Sequence, residues 1–107
     1  MSDLLELAAR VEALAGPDWI IDAQIDLAHR PECGEEDAPP YTDSIDIAMT
    51  LVPSGLVCNF GNDTAFCWAH IWDDTPDYNG EPYEGHASTL PCAILAAALR
   101  AQAWEEG

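Results

Sequence analysis

The stretch AFCWAHIW, residues 65–72, decides the fold. Read with a period of two, Ala65, Cys67, Ala69 and Ile71 fall on one side of a strand, and Phe66, Trp68, His70 and Trp72 on the other. One row is small and apolar, the other large and aromatic. Neither is a solvated polar face. A strand of this kind belongs to a sheet that is apolar on both sides, and such a sheet calls for a covering layer on each. The rival reading leaves the aromatic row open as a binding platform. Against it stands the rarity of large exposed apolar patches on soluble monomers.

Working outward, residues 56–60 form a second strand, and the intervening GNDT marks a hairpin. With Asn62 and Asp63 as the two turn residues, Cys58 faces Cys67 across the ladder. A polar connection, DDTPDYNGEP at 73–82, leads to a third strand at about 83–88. Upstream, Leu4, Leu5, Leu7, Ala8, Val11 and Leu14 make one helical stripe that Gly16-Pro17 stops. Asp18 stands where an N-cap belongs, and a second helix follows from about Trp19 to Ala28, with Ile21, Ile25 and Ala28 as its apolar positions. Residues 30–40, RPECGEEDAPP, read as an exposed loop. Thr42 caps a short helix through Ile45, Ile47, Ala48 and Leu51, which Pro53 ends. Thr89 caps a last helix that carries Pro91 in its first turn and runs to about Glu105. The expected fold is a single α/β domain over residues 1–107. It is a small α/β/α sandwich with N-terminal helices, a three-stranded and mainly antiparallel sheet, and a C-terminal helix.

Three stretches resemble the phage ABA sandwich domain, a group of small phage and prophage proteins. They are LAARVEALAGPD, ending at Asp18, YTDSIDIAMTLVP (41–53) and EGHASTLPCAILAAALRAQA (84–103). The resemblance spans most of the chain apart from the acidic loop at 30–40. It implies a helix–sheet–helix sandwich, a phage or prophage origin and hence a bacterial cytoplasm. It brings no catalytic residues.

Charge bounds the partners. Twenty Asp and Glu face three Arg and no Lys, a formal net charge of −17 over 107 residues. A hydrophobic content of 49% excludes a disordered acidic tail, so the charge rides on a folded surface. Solubility asks for a net charge of only about 2–8 in magnitude. Direct nucleic-acid binding is excluded because three Arg cannot neutralise a phosphate track, and an anionic membrane would repel the chain. The opening MSDLLELAARVEALAG is acidic and amphipathic, so no export signal is read. No apolar run approaches the roughly 20 residues of a membrane span. The four cysteines (Cys33, Cys58, Cys67, Cys92) include no CxxC pair and read as reduced thiols.

Asp18, Asp22 and Asp26 recur every four residues on the second helix, about 6 Å apart along one edge. With Glu35, Glu36, Asp37, Asp43, Asp46, Asp73, Asp74 and Asp77 they imitate a row of phosphates. The functional reading is a phage-encoded, non-enzymatic inhibitor that mimics nucleic acid and occupies the basic groove of a host protein, such as a defence nuclease. The plain alternative is a solvated helix face with polar loops. A second function class is a structural phage module that self-associates through Trp19, Trp72, Trp104, Tyr78 and Tyr83. A third is a small-ligand fold using the aromatic strand face.

The remaining constellations are weak. Thr75, Asp77, Asn79 and Gly80 imitate half of a Ca²⁺ loop, but His86 stands where its closing Glu belongs. Cys58, Cys67, His70 and His86 lie on neighbouring strands, yet alternation sends Cys67 and His70 to opposite faces, which suits no tetrahedral zinc site. Cys67 or Cys92 with His86 and Glu84 can be written as a nucleophile, base and acid, but no nucleophile elbow or phosphate loop accompanies them. No cofactor, metal site or catalytic residue is read from the sequence.

Overall fold

The computed structural model describes residues 3–14, 16, 18–29, 39–53, 55–73 and 82–106. Among these residues four helices and three strands follow in order as α1 (Asp3–Glu12), α2 (Trp19–His29), α3 (Ile45–Met49), β1 (Leu56–Asn62), β2 (Cys67–Asp73), β3 (Tyr83–Ala87) and α4 (Leu90–Glu106). The fold is α/β, with an antiparallel sheet in the order β1-β2-β3, N-terminal helices and a C-terminal helix.

Each helix follows from its local chemistry. In α1 the buried residues are Leu4, Leu7, Ala8 and Val11, at the i, i+3, i+4, i+7 spacing of one helical face. Asp18 caps α2, its Oδ1 accepting the N–H groups of Ile20 and Ile21 at 2.9 and 3.3 Å. The cap of α3 is Ser44, whose Oγ accepts the Ile47 N–H, and not Thr42. Thr42 is instead buried and bonded to α2, as described below. Thr89 caps α4 by accepting the Cys92 N–H, with Pro91 in the first turn.

The hairpin carries a different register from the one expected. Asn62 pairs with Cys67, so residues 63–66 form a four-residue loop, closed by the Asp63 N–H donating to the Phe66 carbonyl at 2.7 Å. Asp63 Oδ1 also accepts the Thr64 N–H, a local bond that competes with ladder pairing. Cys58 therefore faces Ile71, and Cys58 and Cys67 are not opposite each other. The slip is even in residue number, so every side chain keeps its expected face. Gly55, at φ 91°, turns the chain into β1, a conformation that favours glycine.

The layers stack in an order that alternation alone does not reveal. The helix α4 packs on all three strands and also on α1 and α3, while α2 packs on α1. Residues Cys92–Leu99 are wholly buried, as a helix apolar all round must be when it sits in the middle of a domain. So α4 lies between the sheet and the N-terminal helices, and all four helices gather on the Ala69/Ile71 side of the sheet. Among the described residues this helix is the layer packed on both sides, by the sheet and by α1 and α3. Gly85 marks the tightest strand–helix approach: a Cβ there would lie 2.1 Å from the Ala93 carbonyl oxygen and 2.7 Å from the Ala97 nitrogen.

Candidate functional site

Two of the three acids of the proposed row on α2 are buried. Asp22 is 6% exposed and Asp26 1%. They share the buried side of α2 with Ile21 and Ile25, because positions i and i+1 sit only about 100° apart on a helix. Each finds a partner from the segment ahead of α3. The Thr42 N–H donates to Asp22 Oδ1 at 2.8 Å, and the Tyr41 hydroxyl donates to Asp26 Oδ1 at 3.3 Å. Asp18 is half-buried at its cap, where its own N–H donates to Thr42 Oγ1 at 2.9 Å. Burial pushes the Asp22 carboxyl upward, and the charges of Asp18 and Asp43 push the same way, against the stabilising bonds from Thr42. Two of the three carboxylates are thus structural posts tying α2 to residues 41–42. The expected phosphate-like track on this helix is corrected accordingly.

The other expected acids divide into two groups. Asp43 and Asp46 are exposed, flanking the N-cap of α3, where they line a shallow groove with Cys67, Leu90 and Pro91. Asp73 closes β2. Glu35, Glu36, Asp37, Asp74 and Asp77 lie outside the described residues, as do Tyr78 and most of the Ca²⁺-like stretch at 75–86. Glu6, Asp63 and Glu84 are exposed acids outside the expected phosphate-like set. Among the described residues, no group of three or more His, Cys, Asp or Glu is placed to hold a metal ion. Cys92 is in the core, its thiol pushed up by burial, while His86 points away from it on the other side of the sheet.

One arginine is consumed internally. The Arg100 guanidinium binds Glu12 in a two-pronged pair, both contacts at 2.7 Å, and also donates to the Glu84 carbonyl oxygen. Glu12 Oε2 accepts the His86 N–H as well, at 2.8 Å. Burial alone would raise the Glu12 carboxyl. The hydrogen bonds from Arg100 and His86, with the arginine's charge, outweigh it and hold the group below its ordinary value.

The aromatic row of β2 lies on the opposite side of the sheet from α4. Among the described residues no helix packs on the sheet face that carries Trp68, His70 and Trp72. Direct cross-strand neighbours on that face are Val57 with Trp72, Asn59 with His70, Gly61 with Trp68, Trp68 with His86 and His70 with Glu84. The Trp68 indole lies over Gly61, where a Cβ would come within 2.9 Å of the ring. Trp68 and His70 have ring centroids 5.1 Å apart, and Phe66 meets His86 edge-to-face at the same separation. His70 Nε2 stands 3.6 Å from Glu84 Oε1, with side chains 37% and 53% exposed. Trp68 and Trp72 are half-buried. The glycine that admits Trp68 is visible in the sequence, but its register opposite Trp68 is not.

No protein-family model, curated protein or solved structure matches this chain. No helix among the described residues is long and apolar enough to cross a membrane.

Proposed function

We propose that this protein is a non-enzymatic interaction protein, of phage or prophage origin and acting in a bacterial cytoplasm, that engages and inhibits a basic, nucleic-acid-handling host protein. The observation that carries the reading is the net charge of −17 on a folded domain. Its burial of Asp22 and Asp26 and its internal use of Arg100 leave Glu6, Asp43, Asp46, Asp63 and Glu84 facing solvent. A field of this sign repels nucleic acid and anionic lipid, and it speeds encounter with a basic groove in a salt-dependent way. Nucleic-acid mimicry in this form rests on the spread of surface carboxylates and not on a helical row.

The test is affinity capture from bacterial lysate with salt-gradient elution, followed by competition with the purified captured protein. The reading expects a basic protein released at moderate salt, whose binding to DNA or RNA this chain displaces. Capture of a partner whose nucleic-acid binding is unaffected overturns the inhibitor reading. The open aromatic sheet face, together with Trp19 at 72% exposure, favours a second reading, self-association as a structural module. That reading expects a stable homo-oligomer by sedimentation that persists at high salt, and a monomer at all concentrations removes it.

A further inference from the structure

Resting on that reading, we infer that the surface which grips the basic partner is the open sheet face, and that its occupant is an arginine-bearing segment of that protein. Three observations converge there. First, Phe66, Trp68, His70, Trp72, Glu84 and His86 present rings and one carboxylate on a single side of the sheet, with no helix over them among the described residues. Second, among the described residues the face carries no Lys or Arg: Arg100 approaches β3 from the α4 side, where it is held by Glu12 and the Glu84 carbonyl. Third, the molecule around the face carries a charge of −17, which selects a cationic occupant and opposes a second copy of the same chain.

The chemistry of the face favours arginine over lysine. A guanidinium is planar, sheds its hydration readily and stacks on an indole or imidazole while its edge donates to a carboxylate. Trp68 supplies the flat ring, held in place over Gly61. Glu84 supplies the acceptor two strand positions from His86 and directly across from His70. The occupant's guanidinium would take up the side of Glu84 that His70, at 3.6 Å, does not saturate.

The test titrates the full ¹⁵N-labelled chain with a short polyarginine peptide and, separately, with polylysine of equal length, at low and moderate salt. Polyarginine is expected to bind more tightly, shifting the Trp68 indole N–H and the β1–β3 amides before any others. Trp68→Ala is expected to weaken it about three- to tenfold. Trp68→Phe keeps most of the affinity, and Glu84→Gln loses more than Glu6→Gln, which removes the same charge off the face. Should Trp68→Ala fail to fold, the Phe and Gln variants decide the matter. Salt-sensitive binding with shifts scattered over the surface and no response to these variants overturns the docking site and leaves the capture of a basic partner standing. Failure of both peptides to bind at low salt overturns both readings. Face-specific shifts that grow with protein concentration in the absence of peptide overturn the arginine site in favour of self-association.

Discussion

A carboxylate held beneath a helix is costly unless its partners are fixed, and Asp22 shows both halves of that balance. Its bond from the Thr42 N–H favours the charge, but burial and the nearby Asp18 and Asp43 oppose it more strongly, so its proton affinity in the folded chain exceeds the ordinary one. A carboxyl raised in this way stabilises the fold at low pH, and the benefit is lost as pH rises through its folded value. Asp22→Asn keeps an oxygen for the Thr42 N–H and removes the charge. The expected outcome is a higher melting midpoint at neutral pH, with the wild type catching up as the pH falls toward the ordinary 3.8. A gap that widens on acidification contradicts this account. Asp22 and Asp26 were misread from sequence because acids at i, i+4 look like a solvated edge. The groups that draw them inward, Thr42 and Tyr41, lie 20 and 15 residues away, and no local signal announces them.

At the scale of elements, Arg100 and Glu12 pin the end of α1 to β3 and α4 through one guanidinium and one carboxylate. Because the Glu12 carboxyl is lowered, its stabilising contribution is present above the ordinary 4.5 and fades as pH falls through the lower folded value. Glu12→Gln is expected to cost about 1–3 kcal/mol at neutral pH, the usual range for losing a charge-assisted hydrogen bond. Chemical denaturation across pH checks it: the cost should shrink on acidification, and a cost independent of pH would show that the pair contributes only shape. The helices and strands themselves were legible, because caps and apolar periodicity are local signals. Thr42 and Ser44 both suit a cap in the run YTDS, and only the tertiary bonds of Thr42 separate them. The hairpin register was hidden for a similar reason, since Asp63 closes a longer loop than the turn dipeptide suggests, yet the faces survived because the slip was even.

For the whole molecule, the imbalance of charge acts against the fold. Self-repulsion at −17 is relieved as ions screen it, and raising salt from about 0.01 to about 0.1 M shortens the Debye length from about 30 to about 10 Å. The melting midpoint is therefore expected to climb with added NaCl, and a flat response in thermal scans would mean that the exposed carboxylates are too far apart to interact. The order of layers was not legible, because a strand apolar on two sides states a need for cover without saying where cover comes from. A helix as apolar as CAILAAAL, residues 92–99, was the better clue, since a segment with no polar side has to lie between two others. The position of that helix has a consequence for biosynthesis. Among the described elements, every contact between the sheet and the helices, apart from the edge where α1 meets β3, passes through α4, the last of these elements to be translated. The nascent hairpin and the first three helices have no shared core to condense on while they leave the ribosome. They must remain open, exposed to chaperones and proteases, until residues 90–106 emerge and the long-range contacts close together.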